Sequence, residues 1–238
     1  MEKKKLISFI DKYHLAGNAN SVKLEIKDKT LHCKFITDDQ NVIGSVTMAG
    51  FDVEDCTLGI YATSQLTKLL TALDDEIEFK VNKADSSAFS IKISDKTTKV
   101  TFMLADLSVI RQVPDLKNTP DWNVTFKLTK DFTDKFIKSK NALPETENFA
   151  VQSRNGTTEM ILNYSTLNTN RITWPLDIPN ATDLSATCFS ANLFKEILQA
   201  NKDCEQGELN VSSAGLAKVV FKLAEGTSTY YLVQLQAS

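Results

Sequence analysis

Apolar and polar residues alternate one by one along most of this chain. The early half offers SVKLEIK (21–27), TLHCKFI (30–36), EIEFKVN (76–82), SAFSIKI (87–93) and TKVTFMLA (98–105). The later half offers NVTFKL (123–128), TTEMILNYS (157–165), ELNVSS (208–213), AKVVFKLA (217–224) and STYYLVQL (228–235). A period of two sends successive side chains to opposite faces of a strand, so these stretches predict half-buried strands. Turn residues separate them at 27–29, 94–96, 154–157 and 224–227. Asn155-Gly156 is the strongest hairpin signal, because a type I′ turn needs positive φ at both central positions.

Four stretches carry helical spacing instead. They are 4–14 (Leu6, Phe9, Ile10, Tyr13), 64–74 (Leu66, Leu69, Leu70, Leu73), 128–140 (Phe132, Phe136, Ile137) and 191–202 (Leu193, Phe194, Ile197, Leu198). Ser190 is placed to cap the last of them. Phe9-Ile10 recurs as Phe136-Ile137, and Leu66-x-Lys68-x-Leu70 recurs as Leu193-x-Lys195-x-Ile197, each at an offset of 127. A shared offset and a shared order of elements predict two copies of one module: helix, strands, helix, strands. The expected fold class is α+β, with two helices packed on antiparallel sheets in each copy. Expected boundaries are 1–106 for the first domain, 107–121 for a connector and 122–238 for the second. The connector holds two of the five prolines and is long for a loop in a compact domain.

Charge changes the picture. The 238-residue chain has a net charge of −3. Windows 1–14, 62–73, 127–140 and 191–202 together hold +7 in 52 residues, so the other 186 hold −10. The polar sides of the helices carry Lys4, Lys5 and Lys12; Lys68; Lys135 and Lys138, with Lys127 and Lys130 nearby; and Lys195, with Lys202 at its end. Such faces suit loose contact with phosphates. They lack the Arg and Asn/Gln pairs that read base edges, and the aromatics that stack single-stranded bases. The same lysines also fit the solvated helices of a β-rich structural or scaffold protein, or a module that grips DNA directly.

No catalytic constellation is legible. The two histidines, His14 and His32, have no partner motif, and no P-loop, G-x-S-x-G, H-E-x-x-H or dinucleotide fingerprint occurs. Asp38-Asp39 and Asp74-Asp75-Glu76 fall at expected turns. Cys33, Cys56, Cys188 and Cys204 show no metal-ligand spacing. No enzyme, cofactor or metal is expected. The apolar run after MEKKK ends at Asp11, too short for a signal sequence, so a cytoplasmic protein is expected.

FSANLFKEILQA and the following GELNVSSAGLAKVVFKLAEGTSTYYLVQL, with paired Tyr230-Tyr231, resemble the last helix and strands of DNA sliding clamps. CKFITDDQNVIGSVTM (33–48) resembles the hairpin bordering their partner-binding pocket. The chain looks most like the processivity factors of T-even-type tailed phages, with likeness to archaeal and eukaryotic clamps. The resemblance implies a homotrimeric ring of six modules. Such a ring encircles duplex DNA without sequence preference and tethers the replicative DNA polymerase for processive synthesis. A clamp-loader ATPase opens it, in the host cytoplasm if the chain is phage-encoded. It would place the ten lysines above on the inner wall. Subunit contacts would run along 98–105 (Val100, Phe102, Leu104) and 170–176 (Arg171, Thr173, Trp174). A partner peptide would lie against Val42, Leu107, Val109, Ile110, Val113 and Pro114, with Val233 and Leu235 of the last strand. In the second copy strand 123–128 precedes the helix; in the first the matching positions fall at or before Met1.

Overall fold

A computed structural model describes residues 1–235 except Ser86, Lys117, Asn168, Asn180 and Glu205. Lys117 of the connector therefore lies outside the described residues. The chain divides into two compact units, Met1–Pro114 with Leu223–Ser228, and Asp115–Lys222 with Thr229–Ser238. The division falls inside the connector.

The first unit runs α1 (Lys3–His14), β1 (Val22–Lys27), β2 (Thr30–Ile36), β3 (Val42–Ala49), β4 (Cys56–Ile60), α2 (Thr63–Leu70), β5 (Glu78–Ala84), β6 (Ser87–Ser94) and β7 (Lys99–Met103). The second runs β8 (Val124–Thr129), α3 (Lys130–Ala142), β9 (Asn148–Arg154), β10 (Thr157–Leu162), β11 (Ile172–Leu176), β12 (Leu184–Ser190), α4 (Ala191–Ala200), β13 (Gln206–Ser212), β14 (Leu216–Leu223) and β15 (Gly226–Val233), except that Leu223–Ser228, at the β14–β15 turn, belong to the first unit. The strand pairings are antiparallel, so the fold is α+β as expected.

The repeat is written in the sheet topology. In the first unit the order β3-β2-β1-β4 is matched in the second by β11-β10-β9-β12. Likewise β5-β6-β7 is matched by β13-β14-β15, and only β8, beside β13, has no full counterpart. What stands in its place is a single antiparallel bridge from Glu2 to Glu76. The Met1 amino group donates to Ile77 O at 2.8 Å.

Each core lies between its helix pair and its sheets. In the first unit Phe9, Ile10, Tyr13, Leu66 and Leu70 of the helices are buried, with Leu24, Leu58 and Ile60 of the strands. In the second, Phe136 is the hub of an aromatic cluster. It meets Phe149 edge-on at 5.7 Å and Phe194 at 4.9 Å, and it lies 5.8 Å from Trp174. Aromatic pairs at such spacings prefer edge or offset geometry and add to the area they bury.

Several boundaries moved for identifiable reasons. The third helix starts at Lys130, because Leu128 and Thr129 complete β8. Thr129 then becomes the cap, its Oγ1 accepting from Phe132 N at 3.2 Å. The second helix stops at Leu70, where Thr71 Oγ1 donates back to Lys68 O at 2.6 Å. Ser190 caps α4 as expected, accepting from Leu193 N. Asn155 and Gly156 have φ of 53° and 77°, the type I′ signature. Among the described residues, the connector forms turns but no helix or strand.

Candidate nucleic-acid interface and strand edges

In both units the two helices pack side by side. In the first, His14 Nε2 and Ser64 Oγ lie 3.0 Å apart. Asn20 Oδ1 accepts from Ser64 N, which ties the end of α1 to the start of α2. Burial holds the His14 imidazole below its ordinary pKa, against the opposing pull of the Asp11 carboxylate.

The lysines divide by burial. Lys4 and Lys68 are exposed in the first unit; Lys127, Lys130, Lys135, Lys138 and Lys202 are exposed in the second, and Lys195 is half-exposed. Lys127 sits on β8 rather than on a helix. Lys5 is exposed but already engaged, with Nζ 2.9 Å from Glu225 Oε1. Lys12 corrects the sequence expectation. It is 2% exposed and donates to Ser8 Oγ at 2.6 Å, one turn back, so its ammonium does not reach the helix surface. Its stem instead completes the core face. Lys140, not among the candidates, behaves alike: it is buried and donates to Pro144 O at 2.8 Å. Burial holds its ammonium below the ordinary lysine value, and the neighbouring Lys195 charge pushes the same way.

The remaining surface is not uniformly acidic. On one face of the β5-β6-β7 sheet, Lys80, Lys92 and Thr101 stand in register, beside Glu78, Ser94 and Lys99. Cross-strand register creates this basic row, and a one-dimensional charge count cannot see it. Among the described residues, no group of three or more His, Cys, Asp or Glu is placed to hold a metal ion. Asp39 serves its own turn, accepting from Thr37 Oγ1 at 2.7 Å and Asn41 N at 3.1 Å.

The two strands expected at subunit contacts are both sheet edges: β7 ends the order β5-β6-β7, and β11 ends β11-β10-β9-β12. The hydrogen bonds Leu104 N to Phe89 O and Asp95 N to Thr98 O flank the β6–β7 hairpin. By antiparallel alternation, Val100 and Phe102 bond inward, and Lys99, Thr101 and Met103 turn their backbone groups outward. Asn163 N to Asn148 O sets the alternation of β9–β10. Trp174 and Leu176 therefore bond to β10, and Thr173 and Pro175 face out. A proline nitrogen on a free edge loses no ladder bond. Val100, Phe102 and Trp174 are buried in their own units, Leu104 is half-buried, and Arg171 and Thr173 are exposed. The free groups of these edges are thus mainly backbone.

The residues expected to meet a partner peptide also divide. Val42 and Ile110 are buried, Val113 is half-buried, and Leu107, Val109 and Pro114 are exposed, Val109 at 72%. Asp106 Oδ1 accepts from Ser108 N at 2.8 Å, holding the turn that presents Val109. In the second unit Val233 is exposed and Leu235 half-buried. Tyr61 and Phe126, absent from the sequence candidates, stand near the two edges: the Tyr61 ring stacks on Phe102 of β7, and Phe126 lines a cleft with Trp174 of β11.

No protein-family profile matches the chain, and no curated protein matches it significantly. Solved structures do match along its full length. The Proliferating Cellular Nuclear Antigen of Entamoeba histolytica aligns with a TM-score of 0.75 at 18% identity, covering 99% of this chain and 97% of that one. A. fulgidus PCNA, solved with the C-terminal region of FEN-1 bound, aligns with a TM-score of 0.78 at 13% identity, covering 100% and 98%. The PCNA2–PCNA3 complex of Sulfolobus tokodaii gives 0.74 at 13% identity, covering 98% and 97%. The chain therefore has the fold of the PCNA-type clamps from end to end.

Proposed function

We propose that this protein is a DNA sliding clamp, a closed ring of three copies that encircles duplex DNA and tethers a polymerase without catalysing a reaction itself. One observation carries the reading. In a chain of net charge −3, both units of a clamp fold present a packed helix pair whose exposed positions are rich in lysine. Lysine without base-reading partners gives phosphate attraction indifferent to sequence, which a sliding ring requires. Encirclement supplies retention, so the contacts themselves can be weak.

Three copies close because two units per chain make six modules, joined head to tail through β7 and β11. The inner wall comprises Lys4, Lys68, Lys130, Lys135, Lys138, Lys195 and Lys202, with Lys127 from β8; Lys12 is excluded by burial and Lys5 is largely occupied by Glu225. The exposed connector residues Leu107, Val109 and Pro114, with Val113, offer an apolar site for a partner peptide. Val233 and Leu235 are separate candidates for such contacts. A closed ring needs an ATP-driven loader, and replication in the cytoplasm suits the composition. The narrower reading, a clamp of the T-even phage type, rests on the C-terminal stretch around Tyr230-Tyr231.

A second reading, a monomer gripping DNA directly, is favoured by Lys92 and Lys99, both exposed on one face of the β5-β6-β7 sheet, where Lys80 is already paired with Glu78 at 2.9 Å. Light scattering on a sizing column across a dilution series separates the two. A mass near three chains that falls on dilution supports the ring. A single-chain mass at every concentration overturns it.

A further inference from the structure

Beside the free edge β11 the second unit leaves a cleft of about 300 Å³. Its walls include Phe126, Asp131, Phe132, Lys135, Trp174 and Asp177. That volume is the lower bound for small-molecule sites and fits one or two side chains. Trp174 is 4% exposed, and its Nε1 is one of two buried side-chain polar atoms among the described residues that lack a hydrogen-bond partner. Buried indole N–H groups ordinarily find an acceptor. The cleft thus has aromatic walls and a charged rim, and one of its wall residues, Trp174, carries a buried donor without a partner.

The other free edge holds a matching group. Tyr61, between β4 and α2, is 49% exposed, and its ring stacks on Phe102 with centroids 5.8 Å apart and planes 25° from parallel. Phe102 lies on the buried side of β7, and Trp174 lies on the buried side of β11. Residues paired across two strands project from the same face of the joined sheet. Consider β7 of one copy running antiparallel to β11 of the next, with Lys99 opposite Asp177. Then Thr101 falls opposite Pro175, Phe102 opposite Trp174 and Met103 opposite Thr173. This register uses the outward backbone groups of both strands and pairs an ammonium with a carboxylate. Its one gap is the proline's missing N–H. It also carries Tyr61, stacked on Phe102, to the mouth of the cleft.

We infer that Tyr61 of one copy seats in the Trp174 cleft of the next, its phenol oxygen accepting the hydrogen bond of Trp174 Nε1. The inference rests on the ring reading above and specifies the side chains that lock each joint. The lock acts three times per ring, so the aromatic contact sets how readily a joint opens.

The test mixes two variant chains. Tyr61→Cys and Lys135→Cys are combined and treated with a short bis-maleimide, with wild type and each variant alone as controls for the native cysteines. A cross-linked dimer above control only in the mixture is expected. In parallel, light scattering follows dissociation of the Tyr61→Ala and Tyr61→Phe proteins. The alanine variant should raise the joint's dissociation constant about tenfold or more, as buried interface aromatics do. The phenylalanine variant, which loses only the hydroxyl, should raise it about two- to tenfold. If wild type has a three-chain mass but the cross-link is missing, or Tyr61→Ala dissociates like wild type, the lock is refuted while the ring stands. A wild type that stays monomeric refutes both.

Discussion

Lysines 12 and 138 sit on equivalent helices of the two units, yet the structure gives them opposite parts. Lys138 is exposed; Lys12 is inside, bonded to Ser8 Oγ at 2.6 Å. Two variants exploit the difference: Lys135→Ala with Lys138→Ala, and Lys12→Ala. Each lysine that neutralises a phosphate contributes about 0.9 to the slope of log K against log salt. Between 50 and 200 mM salt this is roughly a 3.5-fold loss of affinity per contact. For each chain touching DNA, the double variant should lower the slope by about 1.8 and remove about a 12-fold salt effect. Lys12→Ala should leave the slope unchanged. It should instead cost about 2 kcal/mol of stability through the lost charged hydrogen bond and the lost stem packing. Fluorescence anisotropy on a short random-sequence duplex reads the slopes, and urea unfolding reads the stability. An unchanged slope in a correctly assembled double variant would refute the inner-wall assignment. A lowered slope in Lys12→Ala would refute the role drawn from its burial.

Other expectations follow from the same geometry. Phe136→Ala empties the hub of the second unit's aromatic cluster and should cost about 3–5 kcal/mol in urea unfolding; a loss below 1 kcal/mol would mean the cluster collapses to fill the space. Asp95 accepts from the backbone N–H groups of Asp74, Thr97 and Thr98, which hold its carboxyl at about 2 against an ordinary 3.8. A depressed carboxyl stabilises the fold above its unfolded pKa and loses that contribution as pH falls. The stability gap between wild type and Asp95→Asn should therefore be constant near neutrality and close between about pH 4 and 2; a gap that persists at pH 2 would contradict the bonding shown. Val109→Asp should abolish polymerase stimulation without changing mass or DNA slope; intact stimulation would remove Val109 from the partner site.

What the chain's sequence disclosed depended on how each element is buried. β2, with burial alternating residue by residue, was legible to the residue, and so were the caps at Ser190 and the Asn155-Gly156 turn. The strands β4, β9 and β12 were not. β9 buries Phe149, Ala150 and Val151 in succession, and β4 buries Leu58, Gly59 and Ile60, so neither shows a period of two. β12 has small residues and a register shift between Leu184 and Thr187. The helix faces were legible through their leucines and phenylalanines, but Lys12 was misplaced because an aliphatic stem can line a core while its ammonium bonds back to Ser8. The Lys80–Lys92 row and the Tyr61–Phe102 stack depend on register and turn packing between distant segments, which no local pattern encodes.

The central claim is that retention on DNA comes from encirclement. The direct test incubates the protein at high concentration with linear duplex biotinylated at both ends, so that rings can thread on. Streptavidin then caps the ends of one sample and not the other, and both are washed at moderate salt. A ring stays on the capped duplex and is lost from the open one. Equal retention with and without caps would mean that the lysines grip DNA directly, and the clamp account would fail.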